Sequence, residues 1–143
     1  MKHFTVEKLA AFIDTCIFVA ARNRRDINHR RAVELLKNAL LGKYGKIFTS
    51  DYIFDEAVTV ALARTKNPKI AFDIGNFILS STKLKILHVD KTTFTKAWQL
   101  FRKYAEKGLS FTDTVSIALM KKYNITHIMT FDKHFEGITP RIH

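Results

Sequence analysis

Four short apolar runs, Lys8–Asp14 (KLAAFID), Lys46–Thr49 (KIFT), Leu84–Val89 (LKILHV) and Ile125–Phe131 (ITHIMTF), are separated by stretches whose apolar residues recur at helical spacing. This alternation constrains the fold more than any other feature of the chain. Short apolar runs bounded by polar residues suit buried strands. Strands that alternate with helices build a mainly parallel sheet with helices on both faces, so the predicted class is α/β. A final edge strand is predicted at Thr139–Ile142.

The intervening helices follow from spacing and caps. Thr15 to Ala21 is predicted to enter a helix directly after the first strand, and Arg22 to Asp26 form a positively charged break. A second helix starts at Asn28 or His29, with Ala32, Val33, Leu35, Leu36, Ala39 and Leu40 on its apolar face, and Gly42 and Gly45 end it. Ser50 or Asp51 caps a helix reaching about Arg64, and Pro68 suits the first turn of another that runs through Ile70 to Leu79. Asp90 or Thr92 begins a long helix to about Lys107, whose predicted buried face carries Phe94, Ala97, Trp98, Phe101 and Tyr104. Gly108 stops it, and Ser110 or Thr112 opens a last helix closed by Lys121 and Lys122. No repeat or long linker divides the 143 residues, which are read as one domain, 1–143.

Charge narrows the partners. Lys and Arg number 24 against 13 Asp and Glu, a net charge of +11, which favours a polyanion: nucleic acid or an acidic protein segment. No apolar run approaches the ~18 residues of a membrane span. The opening MKHFTVEKLAAFID lacks the layout of a secretory signal. The single cysteine, Cys16, excludes an internal disulfide framework and agrees with a cytoplasmic protein. With no activating cation nearby in sequence, it reads as a small packing residue.

Four acids stand where such a fold gathers chemistry. Asp14 ends the first strand, Glu56 lies among apolar residues of the helix after the second, Asp113 heads the last helix, and Asp132 follows the fourth strand. Strand ends and the first turns of following helices share one edge of a parallel sheet, where α/β folds bind ligands. Carboxylates gathered there repel one another unless neutralised, and Mg2+ or Mn2+, hard cations that prefer oxygen, would neutralise them. Each acid also has a plain structural reading: Asp14 as a helix cap, Asp113 as a first-turn acid, Asp132 as a turn former.

The segments FIDTCIF, SDYIFDEAVTV, SFTDTVSIALM and IMTFDKHF, in this order and spacing, resemble the PIN-domain ribonucleases, specifically the VapC-type toxins of toxin–antitoxin pairs. The resemblance implies an α/β/α sandwich and a pocket binding Mg2+ or Mn2+. It implies that Asp14, Glu56, Asp113 and Asp132 hold the metal, with Thr130 orienting the pocket and Thr15 supporting it. The implied reaction is hydrolysis of RNA by a metal-activated water, leaving a 5′-phosphate and a 3′-hydroxyl. A homodimer and a cognate antitoxin that blocks the pocket are the implied protein partners.

Two positions depart from the family pattern. Cys16 stands where Asn or Ser is common, so a polar contact near the metal is expected to be missing, and His134 stands where a further acid often follows the last Asp. The arginines Arg22, Arg24 and Arg25 are candidate RNA phosphate contacts. The histidines form no HExxH-like pattern. Position 16 also lacks the second Asp of a haloacid-dehalogenase-like phosphatase, and no Gly-rich turn follows the first strand as dinucleotide binding requires. The competing reading is a catalytically silent PIN-like protein that binds RNA or a partner.

Overall fold

The structure, a computed structural model, describes residues 8–143. The first seven residues of the opening segment, read above as no secretory signal, lie outside the described residues. Five parallel strands form one sheet: β1 (Ala10–Ile13), β2 (Lys46–Ser50), β3 (Leu84–Leu87), β4 (His127–Met129) and β5 (Arg141–Ile142). Their spatial order is β3-β2-β1-β4-β5. The predicted α/β sandwich with a parallel sheet is what the chain adopts. Strands β1, β3, β4 and β5 are shorter than their predicted runs, whereas β2 extends one residue past its run, to Ser50. Past the strand ends the pairing still continues for one bond each: the Asp14 amide donates to the Met129 carbonyl at 3.1 Å and the Thr130 amide to the Ile142 carbonyl at 3.0 Å.

The strands are joined by α1 (Thr15–Arg22), α2 (His29–Leu40), α3 (Asp51–Thr65), α4 (Pro68–Ser80), α5 (Lys91–Tyr104) and α6 (Phe111–Tyr123), with short 3-10 turns at Ala105–Lys107 and Lys133–Phe135. Caps fix where they begin. Ser50 Oγ accepts from the Ile53 amide at 3.1 Å, Asp90 Oδ1 from Thr93 at 2.7 Å, and Asn67 Oδ1 from Lys69 at 3.1 Å beside Pro68. Gly45, at φ +73°, turns the chain into β2 so close to the Leu9 carbonyl that a Cβ would collide with it.

The core sits on both faces of β1. Phe12, Ile13, Ile128 and Met129 are fully buried, as are Ile17, Leu35, Ile53 and Leu119 from the covering helices. Helix α5 departs from expectation. Its buried residues are Thr93, Ala97 and Leu100, while Phe94 and Trp98 are about half exposed, at 48% and 51%. Two stripes one residue apart both have helical spacing, and the small side chains take the seam against α6 because they let the helices approach. The rings flank that seam. Among the described residues no helix is long and apolar enough to cross a membrane.

Topology now places the acids. Central β1 has β2 on one side and β4 on the other. Connections leave β1 toward β2, whereas β4 is reached from the opposite side, so the order reverses at the β1/β4 boundary. The carboxyl ends flanking such a reversal form the crevice where open α/β sheets bind ligands.

Candidate functional site

Asp14 is the N-cap of α1, directly past β1, and only 5% exposed. Its Oδ1 accepts from the Thr15 amide at 2.9 Å, and its Oδ2 accepts from the Thr130 hydroxyl at 2.7 Å. Thr130, fully buried past β4, also accepts from the Asp132 amide at 3.0 Å. One hydroxyl thus ties the acid after β1 to the acid after β4. The orienting contacts expected of Thr130 are present.

Asp113 is the third residue of α6 and belongs to a capping box. Its amide donates to Ser110 Oγ at 3.0 Å, and its Oδ2 accepts from the Ser110 amide at 2.8 Å. The cap reading of Asp113 is therefore correct, as it is for Asp14, and it does not exhaust the carboxylate. Oδ1 of Asp113 has no hydrogen-bond partner among the described residues. Glu56 lies half-buried in the second turn of α3.

The electrostatics link the acids pairwise. Burial pushes Asp14 up from 3.8 to about 7; its bonds to Thr130 and Thr15 oppose this, while the charges of Asp113 and Glu56 add to it. Asp113 is also raised, first by burial, with Asp132 and Glu56 contributing and the Ser110 bonds opposing. The fold therefore puts Asp113 and Glu56 within electrostatic reach of Asp14, and Asp132 within reach of Asp113.

The donor set fits a hard divalent cation. Every acid offers oxygen, two are buried and disfavoured as free anions, and the Thr15 hydroxyl beside them is buried with no hydrogen-bond partner. Among the described residues no three His, Cys, Asp or Glu side chains already stand at ligand spacing. Magnesium does not need such a cage, since it keeps several waters and takes one or two carboxylates directly.

The Cys16 Sγ accepts from the Phe131 amide at 3.4 Å and lies 3.4 Å from Thr130 Oγ1, so the sulfur makes polar contacts of its own beside the acids. Burial and the Asp14 charge push the thiol up to about 12, which removes it as a nucleophile. His134, noted above only as a departure from the family pattern, touches the site. Its Nδ1 lies 2.7 Å from Asp132 Oδ1, and its amide donates to the same oxygen at 2.8 Å. The ring rests on Gly108 (φ +90°), where a Cβ would come within 2.9 Å of Cδ2 and Nε2. Both donors fall on Oδ1, leaving Asp132 Oδ2 without a partner among the described residues.

Arg22, Arg24 and Arg25 do not join the acids. They line a separate cavity together with Arg64 and Asn67, two residues the sequence reading passed over. Arg64 lies in the last turn of α3, where a cation ordinarily answers the helix dipole, so nothing local marked it out.

An α/β/α sandwich with acids at the carboxyl edge of its central strands defines an acid-site α/β protein. The chain belongs to the PIN domain family, whose model matches residues 11–139, and to its VapC branch. It is 31% identical over 128 residues to a VapC ribonuclease of Archaeoglobus fulgidus, covering 89% of this chain and 80% of that one. The crystal structure of Mycobacterium tuberculosis VapC20, a sarcin-ricin loop cleaving toxin, superposes with a TM-score of 0.78 at 28% identity, over 89% of this chain and 93% of that one. The fold is also that of VapBC2 from Rickettsia felis bound to a promoter DNA fragment, with a TM-score of 0.65 at 19% identity over 94% and 98% of the two chains.

Proposed function

We propose that this chain is a metal-dependent endoribonuclease, the toxin of a toxin–antitoxin pair, working at Asp14, Glu56, Asp113 and Asp132. The observation that carries this reading is the hydrogen-bonded frame at the carboxyl edge of β1 and β4, where Thr130 ties Asp14 to the Asp132 amide and the charges of Asp113 and Glu56 act on buried Asp14. Such a cluster is unfavourable unless a cation or protons neutralise it. Mg2+ or Mn2+, when bound, would activate water and offset the charge that builds on a phosphodiester under attack. The protein's own work is positional. Thr130 holds Asp14 and the backbone of Asp132, Ser110 holds Asp113, and His134 holds one oxygen of Asp132. The VapC relatives named above support RNA as the substrate, and a net charge of +11 supports a polyanion.

An antitoxin is the proposed protein partner. In its support, α1, α2 and α4 enclose an apolar groove of about 230 Å³ that includes Phe18, Val33, Leu36 and Phe77, rimmed by Arg22 and Lys37. That chemistry suits an amphipathic acidic segment. A homodimer and a cytoplasmic location belong to the same proposal. The half-exposed Phe94 and Trp98, in ring contact with Phe111 and Phe101, offer a face a second copy could cover.

The test is cleavage of a panel of labelled RNAs by purified protein with magnesium, manganese or chelator, beside Asp113→Asn. Metal-dependent cutting that drops at least about 100-fold in the variant is expected. The lack of a ready ligand cage among the described residues favours one rival, a silent PIN-like protein that only binds RNA or a partner. Binding without cutting by wild type would establish the rival; equal cutting by both proteins would show that the activity is not theirs.

A further inference from the structure

The arginine cavity stands apart from the acids and is chemically their opposite. Arg22, Arg24, Arg25 and Arg64, with Asn23, Thr65 and Asn67, line a space of about 600 Å³ between the α1–α2 and α3–α4 turns, and among the described residues no carboxylate lines it. Among the described residues none of the four arginines takes part in an ion pair. Arg22 instead lies over the Phe77 ring, 5.6 Å from its centre. The helix dipole explains a cation in the last turn of α1 and of α3, where Arg22 and Arg64 sit. It does not explain Arg24 and Arg25, which belong to the turn beyond α1 and face the same space. Four guanidinium groups held around one cavity repel one another, and an anion with several oxygens relieves that repulsion through paired N–H donors.

The cavity's distance from the acids gives it a use. Arg22 follows Asp14 by eight residues along α1, and Arg64 follows Glu56 by eight along α3, the helix that packs on α1. At the rise of an α-helix each offset is about 12 Å. That is the length of roughly three to four nucleotides of a stacked strand. We infer that the four arginines form a second phosphate-binding site, which grips the RNA backbone a few nucleotides from the bond presented to the acids. The site rests on the ribonuclease reading for its ligand, and it makes engagement depend on RNA length rather than on base identity, since phosphate contacts carry no sequence information directly.

The experiment measures binding of a labelled single-stranded RNA, in chelator so that nothing is cut, over a range of salt. Wild type is compared with Arg25→Ala, Arg64→Ala and a control, Lys103→Ala, on the exposed side of α5. Each arginine variant should weaken binding and reduce the slope of log affinity against log salt by about 0.7, the value for one lost contact to a single strand. A trinucleotide too short to reach both sites should bind all four proteins alike. Slopes unchanged by the arginine variants, or reduced as much by Lys103→Ala, would overturn the assignment. So would variants that keep RNA but lose polyglutamate, for then the cavity serves an acidic protein segment. Arginine-dependent RNA binding by a wild type that cuts nothing would support this site while removing the nuclease reading, so the two failures are distinguishable.

Discussion

Asp14 keeps its proton to about pH 7 in the fold, against 3.8 for an ordinary aspartate, chiefly because it is buried. Between those values the native state binds more protons than the unfolded one, so stability falls as pH rises through that window. Full ionisation costs up to about 4 kcal/mol of stability. Asp14→Asn should therefore stabilise the metal-free protein at pH 8 and change little at pH 4, as followed by urea denaturation, and Mn2+ should narrow the gap by stabilising wild type alone. A variant no more stable than wild type at pH 8 would show that the charge is already relieved. The sequence showed which acids to watch, because Asp14, Asp113 and Asp132 stand at a strand end or helix start and Glu56 lies among apolar residues of a helix. It did not show that Cys16 supplies a hydrogen-bonding sulfur, or that His134 reaches Asp132, because both depend on distances between residues far apart in the chain or on a ring seated over Gly108. For His134, the contact predicts that His134→Ala raises the Mn2+ needed for half-maximal binding about tenfold, the usual cost of losing an outer partner of a ligand. His134→Asn, which keeps a donor near the position of Nδ1, should stay close to wild type. Equal losses in both variants would mean that the ring packs without orienting.

At the scale of elements, α6 is the piece that both folds and functions. Its first turn is fixed by the Ser110–Asp113 capping box and braced by the Phe111 ring against Phe94, Phe101 and Tyr52. Ser110→Ala removes the hydroxyl that accepts from the Asp113 amide and should cost about 1 kcal/mol in thermal or chemical unfolding. Unchanged stability would show that the aromatic brace alone sets the helix start. Element order was legible because apolar period and caps agree in this chain, down to Asn67-Pro68 and Asp90. The covered face of α5 was not. Periodicity says that a helix has an apolar stripe, while the choice between neighbouring stripes is made by how closely α6 approaches, and that favoured Thr93 and Ala97 over Phe94 and Trp98.

For the molecule as a whole, acidic and basic chemistry are segregated along two packed helices. Asp14 caps the start of α1 and Glu56 lies in the second turn of α3, while Arg22 and Arg64 lie in the last turns of these two helices, with Arg24 and Arg25 just beyond α1. A sequence count records only the net charge of +11, and the separation appears once the helices lie side by side. The reading of the acid end depends on one claim, that Asp14, Glu56, Asp113 and Asp132 form a single divalent-cation site. The most direct measurement is Mn2+ binding by electron paramagnetic resonance to wild type and to the four single acid-to-amide variants, Asp14→Asn, Glu56→Gln, Asp113→Asn and Asp132→Asn. The account predicts saturable binding by wild type and weaker binding in every variant. Binding that all four variants retain, or no binding by wild type, would contradict it.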